Sequence, residues 1–105
     1  MRILLLLAFV SAAAAAEPGV DELYRGFQNP PREYSVSPYW FWNGKITAAE
    51  TRRQIAEMVR QGVTSAVLMN WAGLDPAYLS EDYWREVGVA LDAARSAGLT
   101  LNFSA

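Results

Sequence analysis

The stretch "SPYWFWNGKITAAE", Ser37 to Glu50, combines a strand signal, a turn and a helix start. Its four consecutive aromatic residues, Tyr39 to Trp42, lie between a proline and an Asn-Gly turn, and a short run bounded in this way predicts a β-strand. Thr47 and Glu50 have the spacing of a capping box, in which each side chain hydrogen-bonds a free backbone N–H of the first helical turn. The stretch therefore predicts a strand followed directly by a helix.

A second strand follows that helix. Ile55, Met58 and Val59 repeat at the helical spacing and predict its buried stripe, and Gly62 predicts its end. The next run, "VTSAVLM" (Val63 to Met69), is mostly apolar and rich in β-branched residues, which predicts a buried strand.

The same succession then occurs once more. Ser80 is a predicted N-cap, Gly98 a predicted helix end, and "LTLNF" (Leu99 to Phe103) a third strand. The apolar face of this second helix is predicted to consist of Trp84, Val87, Leu91 and Ala94. The order β-α-β-α-β with short helix-to-strand joints predicts right-handed crossovers and a parallel sheet.

The fold class is therefore α/β. Parallel sheets are normally covered on both faces, and two helices cannot cover both faces of three strands. We therefore expect residues 39–105 to be the start of a (β/α)8 barrel and the chain to be the N-terminal fragment of a larger protein. The alternative is a small doubly wound sheet. The barrel is favoured because the first βα turn, Trp-Asn-Gly-Lys, lacks the glycine-rich phosphate loop of nucleotide-binding doubly wound folds.

The N-terminal residues have the composition of an export signal. Residues 1–16, "MRILLLLAFVSAAAAA", have one basic residue, a short apolar run and a small-residue cleavage pattern, which predicts a signal peptide and a secreted or periplasmic protein. Residues 17–38 are polar and rich in proline, and they predict an extended N-terminal arm. Its predicted anchors on the folded body are Leu23, Tyr24 and Phe27.

Composition excludes several kinds of chemistry. The chain contains no cysteine and no histidine, so these residues cannot form a disulfide, a Ser-His-Asp triad or a histidine-ligated zinc site. Without Arg2, eight basic residues stand against 11 acidic ones, and no basic run occurs. Nucleic acid is therefore not an expected partner, and neither is a membrane once the signal is cleaved.

Candidate site residues follow the predicted strands, because a βα-barrel places its chemistry at the carboxyl ends of the strands. The residues at these ends are mainly amides and aromatics. Amides exchange hydrogen bonds with hydroxyl groups and aromatic faces stack on sugar rings, so this combination of side chains predicts a carbohydrate substrate. Lys45, Phe103 and Ser104 are also at these ends. The predicted substrate-binding residues are Trp42, Asn43, Asn70, Trp71, Asp75 and Asn102.

Each of these residues also has a purely structural alternative. Trp40 and Trp42 point the same way on a strand and could both be core, Asn43-Gly44 could be only a tight turn, and Asn70 could serve only its own loop. Glycoside hydrolysis needs two carboxyl groups, and only Asp75 lies in a loop at the predicted active face. We therefore predict no catalytic residue and no metal site in this chain.

Several motifs resemble one known family. "F-x-x-P-P" (Phe27 to Pro31), "P-x-W-x-W-N-G-x-I-T" (Pro38 to Thr47) and "M-x-x-x-G-V" (Met58 to Val63) resemble the start of the catalytic barrel in α-L-rhamnosidases of glycoside hydrolase family 106. Tyr78 to Leu101 is similar to the second helix and third strand of that barrel. The resemblance implies a secreted enzyme that hydrolyses α-L-rhamnosides of plant glycans and uses a calcium ion. It also implies substrate contacts for Trp42 and Asn43 and catalytic glutamates on later strands.

The expected function is therefore that of an inactive N-terminal part of a secreted glycoside hydrolase. The segment "MNWAGLDP", Met69 to Pro76, departs from the family pattern and leaves the sugar open. An exported, non-catalytic carbohydrate-binding or scaffold domain is the alternative, and a small structural α/β domain is a third possibility.

Overall fold

The computed structural model describes residues 16–104 as a three-stranded sheet with helices on one side. All but one residue of the predicted signal peptide, residues 1–16, lie outside this range. A 3₁₀ turn, Arg32–Tyr34, precedes the sheet. The elements are α1 Val20–Gln28, β1 Tyr39–Trp42, α2 Ala48–Arg60, β2 Ser65–Asn70, α3 Glu81–Ala97 and β3 Thr100–Ser104.

The three strands form one parallel sheet in the order β1-β2-β3. Trp42 pairs with Asn70 across β1 and β2, and Ser65 pairs with Thr100 across β2 and β3. The predicted β-α-β-α-β order and parallel sheet are thus confirmed, and the open three-stranded sheet is compatible with part of a repeating βα fold.

One face of the sheet carries the core. Trp40 and Trp42 alternate with exposed neighbours along β1, and Ala66 and Leu68 alternate with half-buried neighbours along β2. These side chains pack against α2 and α3, and Trp42, Leu68 and Ile55 are almost fully buried. The predicted stripe of α2 is confirmed, since Met58 and Val59 pack against the same core.

The other face of the sheet is open among the described residues. Because side chains alternate along a strand, it carries Tyr39 and Phe41 of β1, Val67 and Met69 of β2, and Asn102 of β3. Tyr39 is 61% exposed and Phe41 46% exposed. Parallel sheets normally bury both faces, so this open face is the main departure from a finished fold.

Both main helices begin at hydroxyl caps. The Thr47 hydroxyl accepts a hydrogen bond from the Glu50 N–H at 3.3 Å, and the Ser80 hydroxyl accepts one from the Tyr83 N–H at 3.1 Å. Only half of the predicted capping box forms, because the Glu50 carboxylate accepts hydrogen bonds from side chains on its own helix. Gly62 and Gly98 follow the two helices with φ angles of 84° and 73°, which confirms the predicted helix ends.

The predicted apolar face of α3 is wrong at two positions. Trp84 is 55% exposed and Leu91 is 43% exposed, whereas Tyr83 is buried. Tyr83, Val87, Ala90 and Ala94 form the buried stripe of α3. Tyr83 and Trp84 are consecutive in the sequence and point in different directions around the helix axis, so only one of the two side chains can face the core.

The N-terminal arm is not extended throughout, as had been predicted for residues 17–38. Val20–Gln28 is helical because Asp21 and Glu22 suit the positive end of a helix dipole, and apolar residues recur at the helical spacing from Val20. The three predicted anchors are exposed: Leu23 by 58%, Tyr24 by 62% and Phe27 by 84%. No residue of α1 is buried, so the anchoring prediction is wrong within the described chain.

The segment just before β1 is bound to the amino end of the sheet. Arg32 donates from its guanidinium to the Gly98 carbonyl at 3.2 Å, and its own carbonyl accepts from the Thr64 hydroxyl at 2.9 Å. The Ser35 hydroxyl accepts from the Thr64 N–H at 3.1 Å and also contacts the Thr64 hydroxyl. We call these four residues, Arg32, Ser35, Thr64 and Gly98, the amino-end clamp. It joins both helix-to-strand joints to the start of the body.

Candidate functional site

Backbone hydrogen bonds join the two loops at the carboxyl end of the sheet. The Trp71 N–H donates to the Trp42 carbonyl at 3.0 Å, which continues the β1–β2 ladder beyond the strands. Asp75 then donates from its N–H to the Gly44 carbonyl at 3.0 Å and accepts from the Ile46 N–H at 2.8 Å. The loop after β1 and the loop after β2 are therefore joined by backbone hydrogen bonds into one continuous rim.

Gly73 permits this close approach of the two loops. Its φ angle is +88°, and a Cβ atom at this position would lie 2.9 Å from the Asn43 carbonyl oxygen. Real Cβ atoms are essentially never this close to a backbone oxygen. Two features thus require a glycine at position 73: the positive φ angle and the absence of space for a Cβ atom beside the Asn43 carbonyl oxygen.

Trp42 does not reach this rim with its side chain. The indole is only 1% exposed, and its ring lies 5.6 Å from Trp40 and 6.2 Å from Tyr83, in edge-to-face geometry. Trp42 is thus a core residue, as its structural alternative stated, because the alternation of side chains along β1 turns the indole toward the helices. Only its carbonyl group takes part in the rim.

Phe41 and Asn43 belong to the open side of the sheet instead. They line an open hollow of about 510 Å³ together with Tyr39, Met69 and Trp71. The Phe41 ring meets the Trp71 ring edge to face at 5.6 Å, and Tyr39 lies 6.2 Å from Phe41. We call Tyr39, Phe41 and Trp71 the open-face aromatic strip.

Asn70 and Trp71 line a larger groove beside this strip. The groove has a volume of about 740 Å³ and lies between the end of β2 and the loop that follows it. Asn70 is half-buried, and its Oδ1 atom is buried without a hydrogen-bond partner among the described residues. An unpaired buried acceptor costs about 1–3 kcal/mol, so this side-chain oxygen is suited to accept a hydrogen bond from a ligand hydroxyl group or a water molecule. The other lining residues are Met69, Ala72, Gly73, Leu74, Tyr78 and Ser104.

Asp75 and Asn102 lie apart from these two surfaces. Asp75 is exposed, and its contacts at the rim are made by its backbone. Asn102 is exposed on the edge strand β3 at the level of Val67, two residue pairs further from the rim than Met69. The structure thus places Asn43 and Trp71 on the open hollow and Asn70 and Trp71 on the groove beside it, and it separates the side chains of Trp42, Asp75 and Asn102 from both surfaces. As a set of substrate contacts, the six residues stay a prediction.

The carboxylate nearest the start of α2 is unsuited to act as a general acid. Glu50 accepts hydrogen bonds from Arg53 at 2.6 and 2.8 Å and from Gln54 at 2.8 Å. The hydrogen bonds from Arg53 and then Gln54 lower the pKa of Glu50 to about 2. A catalytic acid at neutral pH needs a raised pKa, so Glu50 is a structural carboxylate of the helix surface.

Metal binding and membrane insertion find no support in the described range. Within residues 16–104, no three aspartate or glutamate side chains lie close enough together to hold a metal ion. The calcium ion that the family resemblance implies stays a prediction. Over the same range, no helix has both the length and the apolar character needed to cross a bilayer.

Two contributors to these surfaces were missed in the sequence. Phe41 was assigned only to the first strand, although alternation from Trp40 and Trp42 places it on the opposite face. Tyr78 lines the groove and is 55% exposed. Its position as an aromatic residue in a strand-to-helix loop could have indicated this from the sequence.

Comparison with known proteins gives a distant relationship. No family model matches the chain. A protein of Formosa agariphila described as "Putative beta-glucuronidase" is 29% identical over 111 aligned positions, which cover 98% of this chain. The chain spans about 10% of the length of that relative. The similarity therefore indicates a glycosidase-like relationship at a coarse level.

Proposed function

We propose that this chain forms the beginning of a (β/α)8 barrel in a glycoside hydrolase and contributes one wall of its sugar site. The rim built by the loops after β1 and β2 carries this proposal. It presents Asn43, Asn70 and Trp71 at the carboxyl ends of parallel strands, where barrel enzymes hold their substrates. Similarity to a protein described as a glycosidase supports the same reaction class.

The proposed substrates are α-L-rhamnosides of plant glycans, for which the motif resemblance is the support. β-Glucuronides are the second candidate, because the relative is described as a "Putative beta-glucuronidase" and Lys45 is the cation in the rim loops among the described residues. A lysine ammonium can pair with the carboxylate of a uronic acid, whereas rhamnose carries no charge to pair with.

Catalysis is proposed to depend on residues outside this segment. A glycosidase needs an acid and a second carboxylate across the scissile bond, and Asp75 is the carboxylate of the described rim loops. The calcium ion implied by the resemblance would be bound elsewhere in the full-length protein. We also propose export to the periplasm or the medium on the strength of residues 1–16.

The test is hydrolysis of a panel of nitrophenyl glycosides by the full-length protein. Release from the α-L-rhamnoside or the β-D-glucuronide supports the proposal and selects between the two sugars. If the glucuronide is hydrolysed, Lys45→Met is expected to raise KM with kcat little changed, and Lys45→Arg is expected to restore KM. Sugar binding without release from any glycoside would favour the non-catalytic carbohydrate-binding domain instead.

A further inference from the structure

We propose that Trp71 and Phe41 form a stacking subsite for a sugar ring at the carboxyl end of the open sheet face, beside the rim, in which Phe41 acts as a positioning residue for the Trp71 indole. The inference rests on the proposed function, and it names the surface on which the sugar lies. It also assigns a role to Phe41, whose ring the strand turns away from the core.

Trp71 is held at its backbone on both sides. Its N–H donates to the Trp42 carbonyl at 3.0 Å, and its carbonyl accepts from the Leu74 N–H at 3.2 Å. The side chain nevertheless remains 59% exposed. A fixed base with an exposed ring is the arrangement expected of a binding aromatic, because little further ordering is needed when a ligand arrives.

Phe41 supplies the contact that orients this exposed ring. The two rings meet at 5.6 Å with an angle of 82° between their planes. Edge-to-face pairs of this kind are favourable because the positive edge of one ring meets the negative face of the other. Phe41 is itself half-exposed, so the pair forms a continuous aromatic surface.

The chemistry of the surroundings matches a carbohydrate ring. The negative face of an aromatic ring attracts the polarised C–H groups on one side of a sugar. Asn43 lines the same hollow, and its amide can donate to and accept from hydroxyl groups at the ring edge. The hollow of about 510 Å³ lies within the size range of small-molecule sites.

The experiment measures sugar affinity by calorimetry on the full-length protein with L-rhamnose and D-glucuronate as probes. Trp71→Leu keeps an apolar side chain without an aromatic face and is expected to weaken binding up to about tenfold. Trp71→Phe keeps a face and is expected to bind within about threefold of the wild type. Trp84→Leu is the matched control, since Trp84 is similarly exposed but lies on α3, and its affinity is expected to be unchanged.

The positioning role is tested at Phe41. Phe41→Leu is expected to weaken binding about two- to fivefold at an unchanged melting temperature, and Phe41→Tyr is expected to restore it, because the tyrosine ring has the same edge. If the wild type binds sugar and Trp71→Leu binds equally well, or if Trp71→Phe is weakened as much as Trp71→Leu, the subsite is wrong while the proposed function stands. If Phe41→Leu binds like the wild type, the positioning role is wrong. Absence of binding of both probes to the wild type overturns the subsite, whereas the proposed function is then decided by the hydrolysis panel.

Discussion

Gly73 is the residue on which the close approach of the two rim loops depends. It combines a positive φ angle with a 2.9 Å approach of a hypothetical Cβ atom to the Asn43 carbonyl oxygen. A residue with a side chain must therefore move the loop that carries Trp71, or the loop that carries Asn43. The geometry of the candidate site is thus sensitive to one added methyl group at its lining.

We predict that Gly73→Ala destabilises the protein by about 1–2 kcal/mol from the backbone conformation alone, with the steric contact adding to this loss. Gly88→Ala is the matched control, because Gly88 is helical and an added Cβ meets nothing within 4 Å. That variant is expected to gain about 1 kcal/mol. Urea denaturation of both variants checks the pair, and equal stabilities would contradict the requirement for glycine at position 73.

Two carboxylates of α2 give the protein an acid-sensitive component. Hydrogen bonds from Arg53 to Glu50 and from Arg60 to Glu57 lower the pKa of each glutamate from 4.5 to about 2. A carboxylate with a lowered folded-state pKa stabilises the fold above its unfolded-state pKa and loses this effect as the pH falls. Both pairs are exposed on the helix surface, so the effect is expected to be small.

The expected result is a decline in stability between about pH 4.5 and pH 2 that these two groups help to produce. The double variant Glu50→Gln/Glu57→Gln removes both titrations and is expected to flatten the decline. Denaturation midpoints measured across that range compare the two proteins. Parallel curves for the variant and the wild type would show that the ion pairs do not form in solution.

At the scale of whole elements, the caps of the helices are predicted to carry measurable stability. Ser80→Ala is expected to cost about 1 kcal/mol, because the Tyr83 N–H loses its acceptor at the start of α3. Ser96→Ala, on an exposed turn of the same helix, is the control and is expected to be neutral or slightly stabilising. Thermal unfolding of the two variants distinguishes them, and equal losses would argue against a capping role for Ser80.

Local signals explain which elements could be predicted from the sequence. α2, α3 and the three strands could be predicted because capping hydroxyls, terminal glycines and apolar runs all act within a few residues. α1 was missed because the prolines on either side of it, Pro18, Pro30 and Pro31, and its charged residues outweighed a short apolar spacing. None of its apolar side chains is buried among the described residues. Tyr83 rather than Trp84 is buried because of how the helix packs on the sheet. The sequence of two adjacent aromatic residues does not determine which of them faces the core.

The candidate site shows the same division between local and tertiary information. The positions of Asn43, Asn70 and Trp71 at strand ends followed from the strand predictions, and Asn70 is the last residue of β2. The burial of Trp42 and the exposure of Phe41 depend on which sheet face receives the helices, which the alternating aromatic run leaves ambiguous. The contact between Gly73 and Asn43 depends on two loops meeting, and no short segment encodes it.

At the scale of the whole molecule, the sheet of residues 16–104 has one face covered by helices and one open face. The open face exposes Tyr39, Phe41 and part of Met69 to water among the described residues. Exposed apolar surface of this kind, together with the uncovered edge of β3, favours association. The described part of the chain is therefore expected to depend on further packing for its stability.

We predict that residues 17–105, produced as an isolated polypeptide, do not fold stably as a monomer. The expected observations are strong binding of a hydrophobic dye and a broad, non-cooperative thermal transition. A sharp, reversible transition at a concentration where the polypeptide is monomeric would contradict this prediction. Sedimentation velocity on the same samples identifies the monomeric range.

The amino-end clamp also has a kinetic consequence. Arg32 and Gly98 are 66 residues apart in the chain, and Ser35 and Thr64 are 29 apart. Contacts this distant require large loops to close, so they form only after the intervening helices and strands are in place. Arg32 and Ser35 therefore form their clamp contacts late in folding, although they precede the sheet in the chain. We expect these contacts to slow unfolding rather than to speed folding.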